Sequence, residues 1–261
     1  MTTARTTPTK RVPMSAMRKT AMAGGVLYLV TFITSIPALA LKDAARNNLD
    51  FMLGSGSATA VTWGAVLDVV LALAGVGAAL ALYPVTKRSS QVSGLGYVTS
   101  RLLEAAMIFV GCLTLFTMVT LRHDMAGATG TEAASLVTTG KSLIALHNWT
   151  FLLGPGLMAG VNGLFLGSVM YRSRLVPRLI PLMGLIGAPL LIASSFATMF
   201  GLWDQTSTIA SVLTIPVFFW ELSLGLWLTF KGFQPSPILD AEPAHALQAP
   251  ATPVLAVPVP V

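Results

Sequence analysis

Apolar residues in this chain run on in six long blocks, at about 20–41, 61–83, 94–121, 142–170, 177–201 and 207–230. The shortest has 22 residues. About 20 apolar residues carry a helix across roughly 30 Å of hydrocarbon. The pattern therefore predicts an all-α protein, a bundle of six transmembrane helices over 18–232. Short polar links join the blocks. One spans 42–60 and holds Lys42, Asp43, Arg46 and Asp50. Another opens on Arg122-His123-Asp124 and runs through Gly and Thr to Lys141. Residues 1–17 form a basic stretch and 233–261 a Pro- and Ala-rich one. Neither has a long apolar run, and both are expected to be disordered tails.

Within the first block Ala38-Leu39-Ala40 has the small residues of a signal-cleavage site. The apolar core before it exceeds the roughly 7–15 residues of a signal peptide, so the block is expected to remain as a span. In the fourth block Gly156, Gly160, Gly163 and Gly167 form a smooth stripe on which another helix can approach closely. Pro155, Pro189 and Pro216 each remove a backbone donor and are expected to kink their helices.

Composition agrees with the pattern. Hydrophobic residues make up 54% of the chain and charged residues 10%, against about 25% charged in soluble domains. The single cysteine, Cys112, excludes an intrachain disulfide and reads as a small buried hydrophobe. A net charge of +6 would suit a nucleic-acid binder. Here the charge lies in short links beside apolar blocks, as membrane topology requires, so the expected partner is the lipid bilayer and not nucleic acid. Eleven Lys and Arg fall on the side of the two termini and four on the other. That bias predicts a multi-pass protein of the plasma membrane with both termini cytoplasmic. Trp63, Trp149, Trp203 and Trp227 fall near block ends, as an interfacial belt places them, while Trp220 lies deeper.

Four charged residues stand inside blocks: Asp68, Arg101, Glu104 and Glu221. Charges at membrane depth are expensive and face partners. Arg101 and Glu104 are three apart and share a helix face. At about 1.5 Å of rise per residue, Glu104 and Glu221 reach similar depth and Arg101 lies just below them. The three are the candidate polar cluster. Asp68, in the half of its span away from the termini, forms a candidate secondary site with His147 and Asn162. The cluster reads first as a structural lock, then as a proton or ion site, then as a small-ligand pocket. No phosphate loop, HExxH, GxSxG or CxxC occurs. No catalytic residue, metal or cofactor is therefore assigned, and the chain reads more as a structural or regulatory protein than as an enzyme. A proton-coupled carrier is the first alternative and a membrane-embedded enzyme the second. A second copy of the chain, or another membrane protein, is left open as a partner.

Several segments together resemble a bacterial integral-membrane family known only as a domain of unknown function, number 4386 in its series. They are Arg18-Lys19-Thr20-Ala21, Gly24 to Leu29, Asp68, Leu82-Tyr83-Pro84, the Arg-x-x-Glu pair at Arg101 and Glu104, His147, Tyr171-Arg172-Ser173 and Pro177-Arg178. The closing run from Glu221 through Gly225 and Trp227 to Lys231-Gly232 is the most specific. After Pro177-Arg178 this chain has Leu179-Ile180-Pro181 where the family has a Leu-Gly pair. The resemblance covers about 18–232 and implies six spans. It implies no activity.

Overall fold

The computed structural model describes residues 14–240. The expected tails at 1–13 and 241–261 lie outside the described residues. Among those described, all regular structure is helical. Six helices are long and apolar enough to cross a membrane.

Helix α1 covers Ala16–Asn47, α2 Ala58–Ser89, α3 Gln91–Asp124, and α4 Gly130–Phe151. A wide π turn, Leu152–Met158, joins α4 to α5, Ala159–Ser173. Then come α6 Leu179–Met199, α7 Thr208–Phe230 and a last turn, α8, Pro237–Asp240. Serine sets four of the starts. Ser15, Ser57, Ser90 and Ser207 each accept a hydrogen bond from the backbone N–H three residues on, satisfying a donor the first turn leaves unpaired. The end where α1 begins and α7 ends is called here the terminal face, and the opposite end the loop face.

Three boundaries differ from the sequence expectation. Residues 42–47 continue α1, and Lys42 is buried in it at 1% exposure. The link after them is a tight 3-10 turn, Leu49–Leu53, with Phe51 and Met52 buried. Arg122 holds that link by donating to the Gly54, Ser55 and Gly56 carbonyls. The fourth span begins at Gly130, within the stretch expected to be a loop, and continues with α5 to Ser173. Residues 233–240, expected to be tail, pack on the terminal face. Gln234 N donates to the Leu175 carbonyl, Ser236 Oγ to the Ser173 carbonyl, and Phe233, Ile238 and Leu239 lie on the core. Those apolar side chains among prolines were the signal that composition alone passed over.

α1 packs between α2 and α7, α3 against α2, α4 and α5, and α6 against α5 and α7. Small residues make these approaches close. Gly160, Gly163 and Gly167 face Ile192, Ala188 and Leu185 of α6, so the glycine stripe is an intrachain seam. At Gly184 an added Cβ would stand 2.6 Å from the Trp220 ring, which explains why Trp220 lies deep: it is a core residue at 1% exposure. The main core, with Tyr28, Leu82, Tyr97, Leu166 and Leu224, fills the terminal half. A smaller one around Phe51, Met52, Leu115 and Met118 fills the loop half.

Candidate functional site

Arg101, on α3, is buried at 6% exposure and reaches side chains on three helices. Its Nη1 donates to Glu104 Oε2 at 2.9 Å, one turn along the same helix. Its Nη2 donates to Glu221 Oε1 on α7 at 2.6 Å and to the Tyr28 hydroxyl on α1 at 3.0 Å. The guanidinium lies over the rings of Tyr28 and Tyr97, 5.2 and 5.9 Å from their centroids. Those two hydroxyls bond each other at 2.8 Å. Asn162, on α5, donates to Glu104 Oε2 at 2.5 Å. Gly75 leaves room beside the arginine, since a Cβ there would lie 3.8 Å from Nη1.

The structure thus brings together Arg101, Glu104 and Glu221, the triad expected from depth. It adds Tyr28, Tyr97 and Asn162. Two carboxylates share one guanidinium, so the formal charges leave one negative charge in excess. Glu221 is the less buried carboxylate, its side chain 19% exposed. Among the described residues Arg101 Nε and Asn162 Oδ1 have no hydrogen-bond partner. The space beside the cluster, bordered by Thr31, Gly75, Arg101 and Glu104, is about 10 Å³. That is close to the smallest volume that holds one water.

The expected secondary site divides. Asn162 belongs to the Arg101 cluster. Asp68, on α2, pairs with Lys42 of α1 in a buried ion pair. Gly64 admits the lysine stem, for a Cβ there would lie 2.7 Å from Lys42 Cγ. His147, on α4, lies with its Nδ1 3.1 Å from the Gly111 carbonyl. A carbonyl oxygen only accepts, so Nδ1 carries the proton in the neutral ring and Nε2 is a bare acceptor. Nε2 is buried and has no partner among the described residues. Asp68 and His147 border one cavity of about 20 Å³, together with Thr150 and Phe151. His123 is exposed, paired with Asp124, and separate from buried His147. Among the described residues no three His, Cys, Asp or Glu side chains are grouped to hold a metal.

Sequence reasoning missed Lys42, Tyr28 and Tyr97. A signal existed for each. Asp68 lies deep enough to require a cation, and Lys42 stands directly after the first apolar block. Tyr28 and Tyr97 lie inside apolar runs where a buried hydroxyl needs a partner.

The arrangement defines a class: an all-helical protein with six membrane-length helices stitched by an arginine-centred cluster. The matching family model, Domain of unknown function (DUF4386), covers residues 23–232. The chain belongs to that family. No curated protein and no solved structure matches it.

Proposed function

We propose that this is an integral membrane protein of the plasma membrane, with both termini cytoplasmic, whose role is structural or regulatory. In this reading the Arg101 cluster locks the register of α1, α3, α5 and α7. The orientation rests on the bias of Lys and Arg toward the terminal face. One observation carries the lock: the guanidinium reaches side chains on α1, α3 and α7, while the space beside it is about 10 Å³ and fits no ligand larger than water.

The test is thermal melting in detergent. Replacing Arg101 by Ala strands two carboxylates away from water, a change that costs about 3–5 kcal/mol in soluble proteins. Membrane proteins lose less, because separated helices also find partners. The triple change Arg101→Leu, Glu104→Gln, Glu221→Gln removes the charges together and is expected to melt higher than Arg101→Ala. A triple variant that melts lower than the single one contradicts the lock.

The excess carboxylate and the partial exposure of Glu221 favour a second reading, a proton-carrying site. Glu221→Gln separates the two. The lock predicts a lower melting temperature with no change in any pH-dependent property. The carrier predicts nearly unchanged melting and the disappearance of a pH-driven flux in proteoliposomes.

A further inference from the structure

We propose that the cleft at the loop face, between the end of α1, the α4–α5 break, α6 and α7, binds an amphiphile with an anionic head, carboxylate or phosphate, and an apolar tail. The cleft has two adjoining parts that share lining residues. An outer vestibule of about 280 Å³ is bordered by Arg46, Asn148, Trp149, Asp204 and Gln205. An inner chamber of about 230 Å³ is bordered by Phe151, Pro155, Leu191, Ser195 and Thr214. Leu152, Thr198 and Gln205 line both. Together they fall within the roughly 300–1,000 Å³ of small-molecule sites, which are mostly apolar with a few placed polar groups.

Arg46 marks the head position. It is half-buried, and its guanidinium carbon lies 5.4 Å from the centroid of Phe151, a chamber residue. Its Nε is buried, without a hydrogen-bond partner among the described residues. Among the described residues it forms no ion pair. Burial pushes its guanidinium below the ordinary value, opposed by the charges of Asp43 and Asp68. A desolvated guanidinium with unused donors is completed by a planar or tetrahedral oxyanion. Asp204, exposed on the vestibule wall, is the one carboxylate lining it among the described residues. It repels an anion from that wall and leaves the head to Arg46.

The chamber accounts for the tail. The π turn at Leu152–Met158 sets α4 apart from α6, and the gap is floored by Phe151, Pro155 and Leu191. Wide turns of this kind recur at functional sites. Arg46 lines the vestibule and lies against Phe151 of the chamber, so a head held there leaves the chamber within reach of its chain. The same chemistry is supplied by a free acid from solution or by an anionic lipid of the facing leaflet.

The experiment uses the full chain in phosphatidylcholine nanodiscs and reads Trp149 fluorescence as the difference between wild type and Trp149→Phe. In one arm 10-bromodecanoate is titrated; in the other, chain-brominated phosphatidylglycerol is doped into the disc. The expected result is saturable quenching of Trp149, weakened at least tenfold by Arg46→Gln, which removes the head contact. Thr214→Phe fills the chamber from an exposed position, leaves Arg46 in place, and is expected to weaken it as strongly. Saturation in the first arm supports the site with a free acid as occupant, and saturation in the second alone supports it with a lipid. Quenching that does not saturate, that neither variant weakens, or that bromodecanol matches overturns the proposal.

Discussion

The two halves of the bundle bury charge in different ways. In the terminal half Arg101 is surrounded: two carboxylates, two phenol rings and the amide of Asn162 complete its neighbourhood, and the adjoining space is about 10 Å³. In the loop half Lys42 pairs with Asp68. Arg46 and His147 next to them keep buried nitrogens without partners, and cavities of about 20, 230 and 280 Å³ open nearby. The first half is packed by glycine seams and large side chains such as Trp220, Tyr28 and Leu224. The second is opened by the π turn at Pro155. The difference teaches where each property belongs. Among the described residues each half leaves two buried polar atoms without partners, Arg101 Nε and Asn162 Oδ1 in one and Arg46 Nε and His147 Nε2 in the other. What separates the halves is the space beside them, about 10 Å³ at Arg101 and about 280 Å³ at Arg46, so only the second is open to something outside the chain.

The sharpest way to break this contrast is to remove the central cation of each half. Arg101→Ala strands Glu104 and Glu221 and is expected to give the largest fall in melting temperature of any single change, approaching the roughly 3–5 kcal/mol of a broken buried pair. Lys42→Met strands only Asp68, which keeps Arg46 within Coulombic reach. About 1–2 kcal/mol is expected there, in line with polar contacts between membrane helices. Melting the two variants side by side in one detergent tests the order. Equal losses would mean that the halves are equally constrained.

A smaller effect probes the packing instead of the charge. Gly184→Ala places a Cβ 2.6 Å from the Trp220 ring, and neither the α6 backbone nor that ring has space to yield. Overpacking of this kind costs about 1–3 kcal/mol. The matched change Gly75→Ala meets nothing closer than 3.8 Å and is expected to be nearly silent. If both alanines melt alike, close packing is not what makes the terminal half rigid.

Much of this was legible in the sequence because membrane physics leaves few choices. Long apolar blocks give the helix count, and rare charges at membrane depth must find each other, so Arg101, Glu104 and Glu221 were identifiable from helical spacing and depth. Lys42 escaped because a lysine at a block end ordinarily marks the water boundary, and nothing local says that α1 continues to Asn47. Tyr28 and Tyr97 escaped because hydropathy counts them as apolar, while their roles depend on a partner 69 residues away. Asn162 was grouped with Asp68 and His147, yet its helix position, one turn beyond the π segment, aims it at Glu104. That rotation depends on the wide turn, which no propensity predicts. The loop-face cleft follows from the same turn and was invisible for the same reason.

The turn is also where the two halves meet, which makes Pro155 the subtlest position to change. Proline has no N–H and its ring clashes with the carbonyl four residues back, here that of Phe151. On the opposite side Gly154 lies against α3 so closely that a Cβ would stand 2.8 Å from Met107 Cβ and 3.3 Å from the Glu104 carbonyl. The break therefore leans on the very turn that carries Glu104. Pro155→Ala restores the missing donor without adding bulk. If proline alone holds the turn open, the helix closes toward ordinary α geometry, the chamber narrows, and quenching of Trp149 by bromodecanoate weakens. The expected change in stability is small, on the order of 1 kcal/mol or less, because the terminal core is untouched. If the seat of Gly154 on α3 holds the turn instead, quenching stays at the wild-type level. The cleft would then be set by the packing of the Arg101 half, and the contrast between a rigid half and an open half would become a dependence of one on the other.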